Sequence, residues 1–258
     1  MYSVDDDSGP HERVYEDRHL AFFDILGFSG KVEASINDEN KAAKILRLLT
    51  FLNDASSKFQ SVAMSITLFS DTICVSYHKP PNFASFCFGL SLVMTSLLGL
   101  DHGYVVRGAV VRGPLYHKGN VIFGPALVRA NDLEKHLAIF PRIIIDPLLE
   151  LNFTDPDEIA LRPVYEDHDG LRCVNFLSPV LLHLIFRMLD MPAERLIAQV
   201  LSNIDGLLSS TSDLAALQKL RWLRAYAHQS LNAPTPDGTL IDGLVQRTHL
   251  IDPLEGLT

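Results

Sequence analysis

His19-Leu20-Ala21-Phe22-Phe23-Asp24-Ile25-Leu26, closed by Gly27, is an apolar, aromatic run with a single carboxylate set inside it. The run is short enough for a buried strand, and the glycine ends it. An ionised aspartate inside such a strand would cost several kcal/mol if it had no partner. Asp24 therefore calls for compensation from another part of the chain, and the rest of the sequence is read for what supplies it.

Downstream, Asn40 to Phe59 places Ile45, Leu48, Leu49 and Leu52 at helical spacing, giving one apolar face. Val62 to Phe69 and Ile73 to Tyr77 are β-rich runs parted by Ser70, Asp71 and Thr72, which predicts a hairpin with a polar tip. The 21 residues from Pro80 to Leu100 carry no charge, a length that could span a bilayer. Pro80, Pro81 and Asn82 mark a turn and helix start, and Ser85, Gly89, Ser91, Thr95 and Ser96 interrupt the apolar run, so a buried helix is expected. A membrane span would also put the polar groups on either side of it in different compartments.

Tyr104 to Val111 and Leu115 to Phe123 read as a second hairpin divided by Gly113 and Pro114. Gly124 to Ile139 reads as a helix, Arg142 to Asp146 as a strand, and Ile159 to Glu166 with Gly170 to Leu177 as a closing hairpin. This order predicts an α+β fold with a ferredoxin-like βαββαβ core and extra strands. Beyond Ser178 the pattern turns helical, with Leu181, Leu184 and Ile185 on one face, then Ile197, Val200, Leu201, Ile204 and Leu208 on another, parted by Pro192. A third helix from about Asp213 to Leu231, capped by Ser212, carries Lys219, Arg221, Trp222 and Arg224, a packing helix with a basic rim. The expected organisation is an acidic leader (1–18), a core domain (19–178) and a C-terminal helical extension (179–258).

The 258 residues carry 31 acidic and 22 basic side chains, a formal charge of −9, and 47% of them are apolar. The negative balance disfavours general nucleic-acid binding, and the composition excludes collagen-like, low-complexity and disulfide-scaffold classes. Cys74, Cys87 and Cys173 are odd in number and set in apolar surroundings, so buried thiols are expected. Residues 1 to 19 hold six acids and two bases without an apolar run, which argues against a secretory signal and for a cytoplasmic address. Gly27-Phe28-Ser29-Gly30-Lys31 lacks the upstream glycine and the following Ser or Thr of a Walker loop, and no His-Glu-x-x-His is present.

What remains is the pair Asp24 and Asp71. In a ferredoxin-like sheet the first strand neighbours the first hairpin, so the two carboxylates can converge. Close carboxylates repel, and a divalent cation between them removes the conflict. Aspartate-only ligation suits Mg²⁺ or Mn²⁺. Arg107 and Arg112, then Arg129, are the candidates for stabilising phosphate charge. Strand alternation places Arg107 and Arg112 on opposite faces of a regular strand.

These residues resemble class III nucleotide cyclases. Phe22-Phe23-Asp24-Ile25-Leu26-Gly27-Phe28-Ser29 is similar to their first metal motif, and Ser70-Asp71 to their second, a Gly-Asp hairpin. Val106-Arg107-Gly108-Ala109-Val110-Val111-Arg112-Gly113-Pro114 resembles their Arg-x-Gly-x-x-x-Gly strand, and Gly124 to Glu134 the helix that follows it. With Phe140-Pro141-Arg142-Ile143-Ile144 and Lys219-Leu220-Arg221-Trp222-Leu223, the wording is most similar to the Pycsar-type pyrimidine cyclases, which make cyclic UMP or cyclic CMP as an antiphage signal.

The resemblance implies that Asp24, Asp71 and the Ile25 carbonyl hold two Mn²⁺ or Mg²⁺ ions and that amides near Phe28 and Ser29 cradle a triphosphate. It also implies a pyrimidine nucleoside triphosphate substrate, UTP ahead of CTP, a homodimer with the site between protomers, and an effector protein that responds to the cyclic product. Thr67 and Val121 stand where purine cyclases carry their base-selecting lysine and aspartate, and Asn131 is a further candidate for base or ribose contact. Val128 and Asp132 stand where the family's transition-state Asn and Arg would be, so charge stabilisation must come from elsewhere. Two other readings compete: a purine cyclase with atypical base contacts, and a nucleotide-sensing module without turnover.

Overall fold

The structure, a computed structural model, describes residues 14–59, 64–78, 82–99, 103–189 and 193–231. Most of the acidic leader, Val62, Pro80, Pro81, Pro192 and the Pro- and Gly-rich tail lie outside the described residues. The fold is α+β, built on a mixed, open eight-stranded sheet.

The chain opens with β1 (Glu16–Ile25), a short α1 (Phe28–Glu33) and α2 (Glu39–Phe59), followed by β2 (Met64–Phe69), β3 (Thr72–His78) and α3 (Phe83–Gly99). Then come β4 (Val106–Lys118), β5 (Val121–Phe123), α4 (Pro125–His136), β6 (Ile143–Ile145), α5 (Pro156–Leu161), β7 (Val164–Glu166) and β8 (Arg172–Val174). Three helices complete it: α6 (Pro179–Leu189), α7 (Ala193–Ser210) and α8 (Leu214–Leu231). The sheet order is β2-β3-β1-β4-β6-β8-β7, with β5 paired to β4 off this path. Only β4 and β6 run parallel.

Alternation along the strands divides the core between two faces. Ala21, Phe23, Ile25, Ile73, Val75, Val110, Ile143 and Ile145 join one cluster, which also holds buried residues of α2, α3, α6, α7 and α8. Leu20, Cys74, Ala109, Val111 and Ile144 form the opposite face, with Ala126, Ala130 and Leu133 of α4. The C-terminal helices thus belong to the same core as the sheet. All three cysteines are buried and unpaired, and burial pushes the thiols of Cys74 and Cys173 up to about 12.

Helix α3 is apolar nearly all round because almost every side of it is packed. Its polar residues are satisfied inside: Ser91 donates to the Cys87 carbonyl (2.8 Å) and Thr95 to the Phe176 carbonyl (3.2 Å). Asn82 Oδ1 accepts from the Ser85 amide at 2.7 Å, capping its start as the turn reading implies. Among the described residues no helix is long and apolar enough to cross a membrane.

Three local expectations are corrected. Gly113 and Pro114 do not end a strand: β4 runs through them to Lys118, and the hairpin turns at Gly119 instead. At Pro114 the only paired neighbour is β1, since β6 covers 108–110 and β5 covers 116–118, so one side of the strand is open and a missing amide is tolerated. Ile159 to Leu161 is helical rather than extended, because Asp155 accepts from the Asp157 amide and Pro156 starts α5. The cap of α8 is Asp213, whose Oδ1 accepts from the Ala216 amide at 2.6 Å, rather than Ser212.

Candidate functional site

The end of β1 is stitched to both of its neighbours. Asp24 lies opposite Thr72 of β3 and Arg107 of β4, and the Ile25 amide donates to the Asp71 carbonyl at 3.1 Å. The Leu26 amide donates to the Val105 carbonyl at 2.8 Å, after which Gly27, with φ of +70°, turns the chain into α1. The β2–β3 connection is a tight turn in which Ser70 adopts φ of +57°. A non-glycine residue there is costly, and this turn fixes Asp71 beside β1.

Arg107 is the centre of the charge arrangement. Its Nε donates to Asp24 Oδ1 at 3.3 Å, and its Nη2 lies 2.7 Å from Glu134 Oε1 of α4. That second contact is ionic without hydrogen-bond alignment, so the buried Glu134 oxygen has a charge neighbour but no hydrogen bond. Burial raises the Asp24 pKa; Arg107 opposes the rise and the Asp71 charge adds to it. Burial likewise raises Glu134, with the Asp24 charge adding and Arg107 and Lys219 among the groups opposing. Asp24, Asp71 and Glu134 therefore surround one guanidinium in partly buried surroundings, an excess of negative charge that a cation would relieve.

The donor chemistry fits a hard divalent ion: carboxylate oxygens with an adjoining main-chain carbonyl at Ile25. Among the described residues no group of three or more His, Cys, Asp or Glu has the spacing of a complete metal site. Any ion here would share its shell with ligand oxygens or water.

The other candidates are dispersed. Arg112 is exposed and bonded through Nε (2.9 Å) and Nη2 (2.7 Å) to Asp17, five residues along β4 from Arg107 and on the opposite face. Arg129 makes a forked pair with Asp146, at 3.0 and 2.9 Å, which commits its guanidinium to the start of the β6–α5 connection. Asn131 is half-buried on α4, and the Phe28 ring is in the core while Ser29 is exposed.

Thr67 departs furthest from the expected base contact. It is 3% exposed, beneath the β4–β5 hairpin, where its hydroxyl donates to the Gly119 carbonyl (3.0 Å) and sits 2.7 Å from His117 Nε2. His117 Nδ1 in turn faces the Ser76 hydroxyl at 2.8 Å, and Arg18 Nε donates to that same oxygen at 2.9 Å. One assignment satisfies every group: neutral His117 donates from Nε2 to Thr67 and accepts at Nδ1 from Ser76. Burial, with Arg18 adding to it, lowers His117 to about 4, which fits that neutral form. Thr67 is thus held within its own chain, and base selection falls to other residues.

Glu134 was not anticipated from sequence. The signal was its place on the apolar stripe of α4, four residues after Ala130 and eight after Ala126, where an acid needs a buried partner. Neither a protein-family model nor a curated protein sequence matches the chain.

Proposed function

We propose that the chain is a nucleotide cyclase that converts a pyrimidine nucleoside triphosphate, UTP ahead of CTP, to the 3′,5′-cyclic monophosphate and pyrophosphate. The observation that carries this reading is the meeting of Asp24, Asp71 and Arg107 at one end of the sheet, each from a motif that resembles class III cyclases and in that family's order. The order β2-β3-β1-β4 with antiparallel neighbours, connected β1-α2-β2-β3-α3-β4, supports a ferredoxin-like core beneath it.

In this reading Asp24, Asp71 and the Ile25 carbonyl would hold two Mn²⁺ or Mg²⁺ ions. When bound, such ions supply the positive charge that acidifies the ribose 3′-hydroxyl and offsets the charge of the polyphosphate. The chain's own groups do the rest. Arg107 Nη1 is engaged by no described residue and is free to donate to a phosphate oxygen, while Asp24 and Glu134 orient the guanidinium. The first-turn amides of α1 at Phe28 and Ser29 have no intrahelical acceptor and suit the same phosphates.

A homodimer follows from the same resemblance. Val121 and Val128, at the positions of the family's base-selecting and transition-state residues, are 55% and 62% exposed, and Phe123 beside them is 41% exposed. This apolar patch suits a second protomer. The cyclic product would then act on a nucleotide-responsive effector in the cytoplasm as an antiviral signal.

The test is incubation of the purified protein with each labelled triphosphate and Mn²⁺, followed by separation of cyclic monophosphate from pyrophosphate. Turnover of UTP, with CTP weaker, is expected, and Asp71→Ala should lose it by several orders of magnitude while keeping the wild-type melting temperature. Product from ATP or GTP alone would replace the base assignment. Absence of product from all four would leave a nucleotide-sensing module and refute the enzyme reading.

A further inference from the structure

A cavity of about 790 Å³ lies where α1 and α2 meet the α7–α8 connection. Its wall carries Lys31 of α1, Lys41 and Lys44 of α2 and Lys219 of α8. The one acid on that wall, Asp213, already caps α8 by accepting from the Ala216 amide. This concentration of cations belongs to a chain with 31 acids and 22 bases. Lys41 has an exposed partner in Asp38, 3.3 Å away, and Lys31 Nζ stands 5.1 Å over the Tyr104 ring. Burial lowers the Lys31 pKa and the charge of Lys44 adds to that effect, so the ammonium groups press on one another. The remaining wall is largely apolar, with Ile45, Leu207 and Leu220 among its members. The volume falls within the ordinary range for small-molecule sites.

We infer that this cavity is a binding site for an oligophosphate chain, separate from the Asp24–Asp71 pair and closed on one side by Lys219 of the C-terminal helix. Lysines act as point charges toward phosphate and need no fixed fork, so flexible side chains from three helices can converge on one chain of phosphates. Because α1 and α2 belong to the opening βα unit and α8 to the C-terminal extension, such a ligand would bridge the two parts. Lys219 also faces Glu134 electrostatically, which connects the cavity to Arg107. The inference does not depend on cyclase activity, and its test reads binding alone.

The experiment titrates the full chain with inorganic tripolyphosphate, and separately with UTP and ATP, in EDTA, by calorimetry. Fluorescence of Trp222, the chain's single tryptophan, three residues from Lys219 on α8, gives a second readout. Saturable binding with one ligand per chain is expected, weakened at least tenfold in Lys44→Ala and in Lys219→Ala and unchanged within twofold in Asp71→Asn. Melting curves of the lysine variants should match wild type. Tighter binding of the nucleotides than of tripolyphosphate assigns the site to a nucleotide, and equal binding assigns it to an inorganic chain. No binding at millimolar tripolyphosphate, equal affinity in the lysine variants, or loss of binding in Asp71→Asn would overturn the inference.

Discussion

Gly108 lies directly opposite Phe23, next to the Asp24–Arg107 pair, and the two backbones approach closely there. A Cβ built on Gly108 would stand 2.3 Å from the Phe22 carbonyl oxygen, 2.3 Å from Phe23 Cβ and 2.7 Å from Phe23 Cα. Ordinary carbon contacts begin near roughly 3.5 Å, so the strands would have to separate by about 1 Å. The obstructing atoms are backbone and a Cβ, which cannot rotate away. Overpacking of this kind costs about 1–3 kcal/mol, and the upper end applies because β1 is a central strand. At about 2–4 °C per kcal/mol for a chain of this size, Gly108→Ala should melt roughly 6–12 °C below wild type. The same displacement moves Arg107 relative to Asp24, and a 1 Å misplacement at a reacting centre can cost on the order of 10²-fold in rate. Circular dichroism melts, with turnover measured well below the variant's transition, check both effects. A Gly108→Ala protein that melts within about 2 °C of wild type and turns over normally would refute the close approach and the argument built on it.

Asp24→Asn should raise stability while abolishing turnover. Burial, reinforced by Asp71 and opposed by Arg107, holds the Asp24 pKa above its usual value. Its contribution to stability is therefore full below the ordinary carboxylate pKa of about 3.9 and is lost as pH rises through the raised folded value. Urea unfolding should show the variant above wild type at pH 7.5 and converging with it near pH 4; a less stable variant at pH 7.5 contradicts the charge reading. The two strand arginines should separate sharply: Arg112→Ala, which loses only an exposed pair with Asp17, should change stability by less than about 1 kcal/mol and keep its rate, whereas Arg107→Ala should lose turnover. Equal losses from the two would show that Arg107 has no special place. Thr67→Val leaves the buried His117 Nε2 donor without an acceptor and should cost about 1–3 kcal/mol while the preference among triphosphates stays the same. A changed preference would return Thr67 to the base pocket.

Features with local causes were legible in the sequence. Asp24 within an apolar strand, Asp71 at a polar hairpin tip and the buried character of α3 each followed from a short window, and the β1–β3 register then brings the two aspartates together. What sequence did not disclose depends on partners. Gly113-Pro114 looks like a turn in isolation, and only the gap between β5 and β6 along β4 explains why the strand continues. Glu134 looks like a surface acid until Arg107 appears beneath it. Thr67 could not be seen as internal, since the residues that enclose it are 50 and 52 positions away. The start of α5 is different, because Asp155-Pro156 is a local helix-start signal that the β-rich composition after it obscured.

The C-terminal helices connect to the candidate site through Arg142, whose side chain is 1% exposed. Its guanidinium is paired with Asp167 and Asp169 on the β7–β8 turn and lies against the rings of Phe140 and Trp222. Trp222 of α8 donates from Nε1 to the same Asp167 at 3.1 Å and stacks on Tyr226, whose hydroxyl donates to Asn175 and accepts from the Leu177 amide. The Arg142 carbonyl accepts from the Gly108 amide at 3.0 Å, one residue from Arg107. A buried ion pair of this kind contributes little net stability, but removing one member or its cover is costly, so its value lies in fixing one geometry. That geometry sets α8 against the edge of β6, presents Lys219 to the cavity and holds the β4 backbone where Arg107 meets Asp24. The extension is therefore part of what positions the candidate site, and a chain cut before α8 would lose the cover over Arg142 along with the fourth lysine of the cavity.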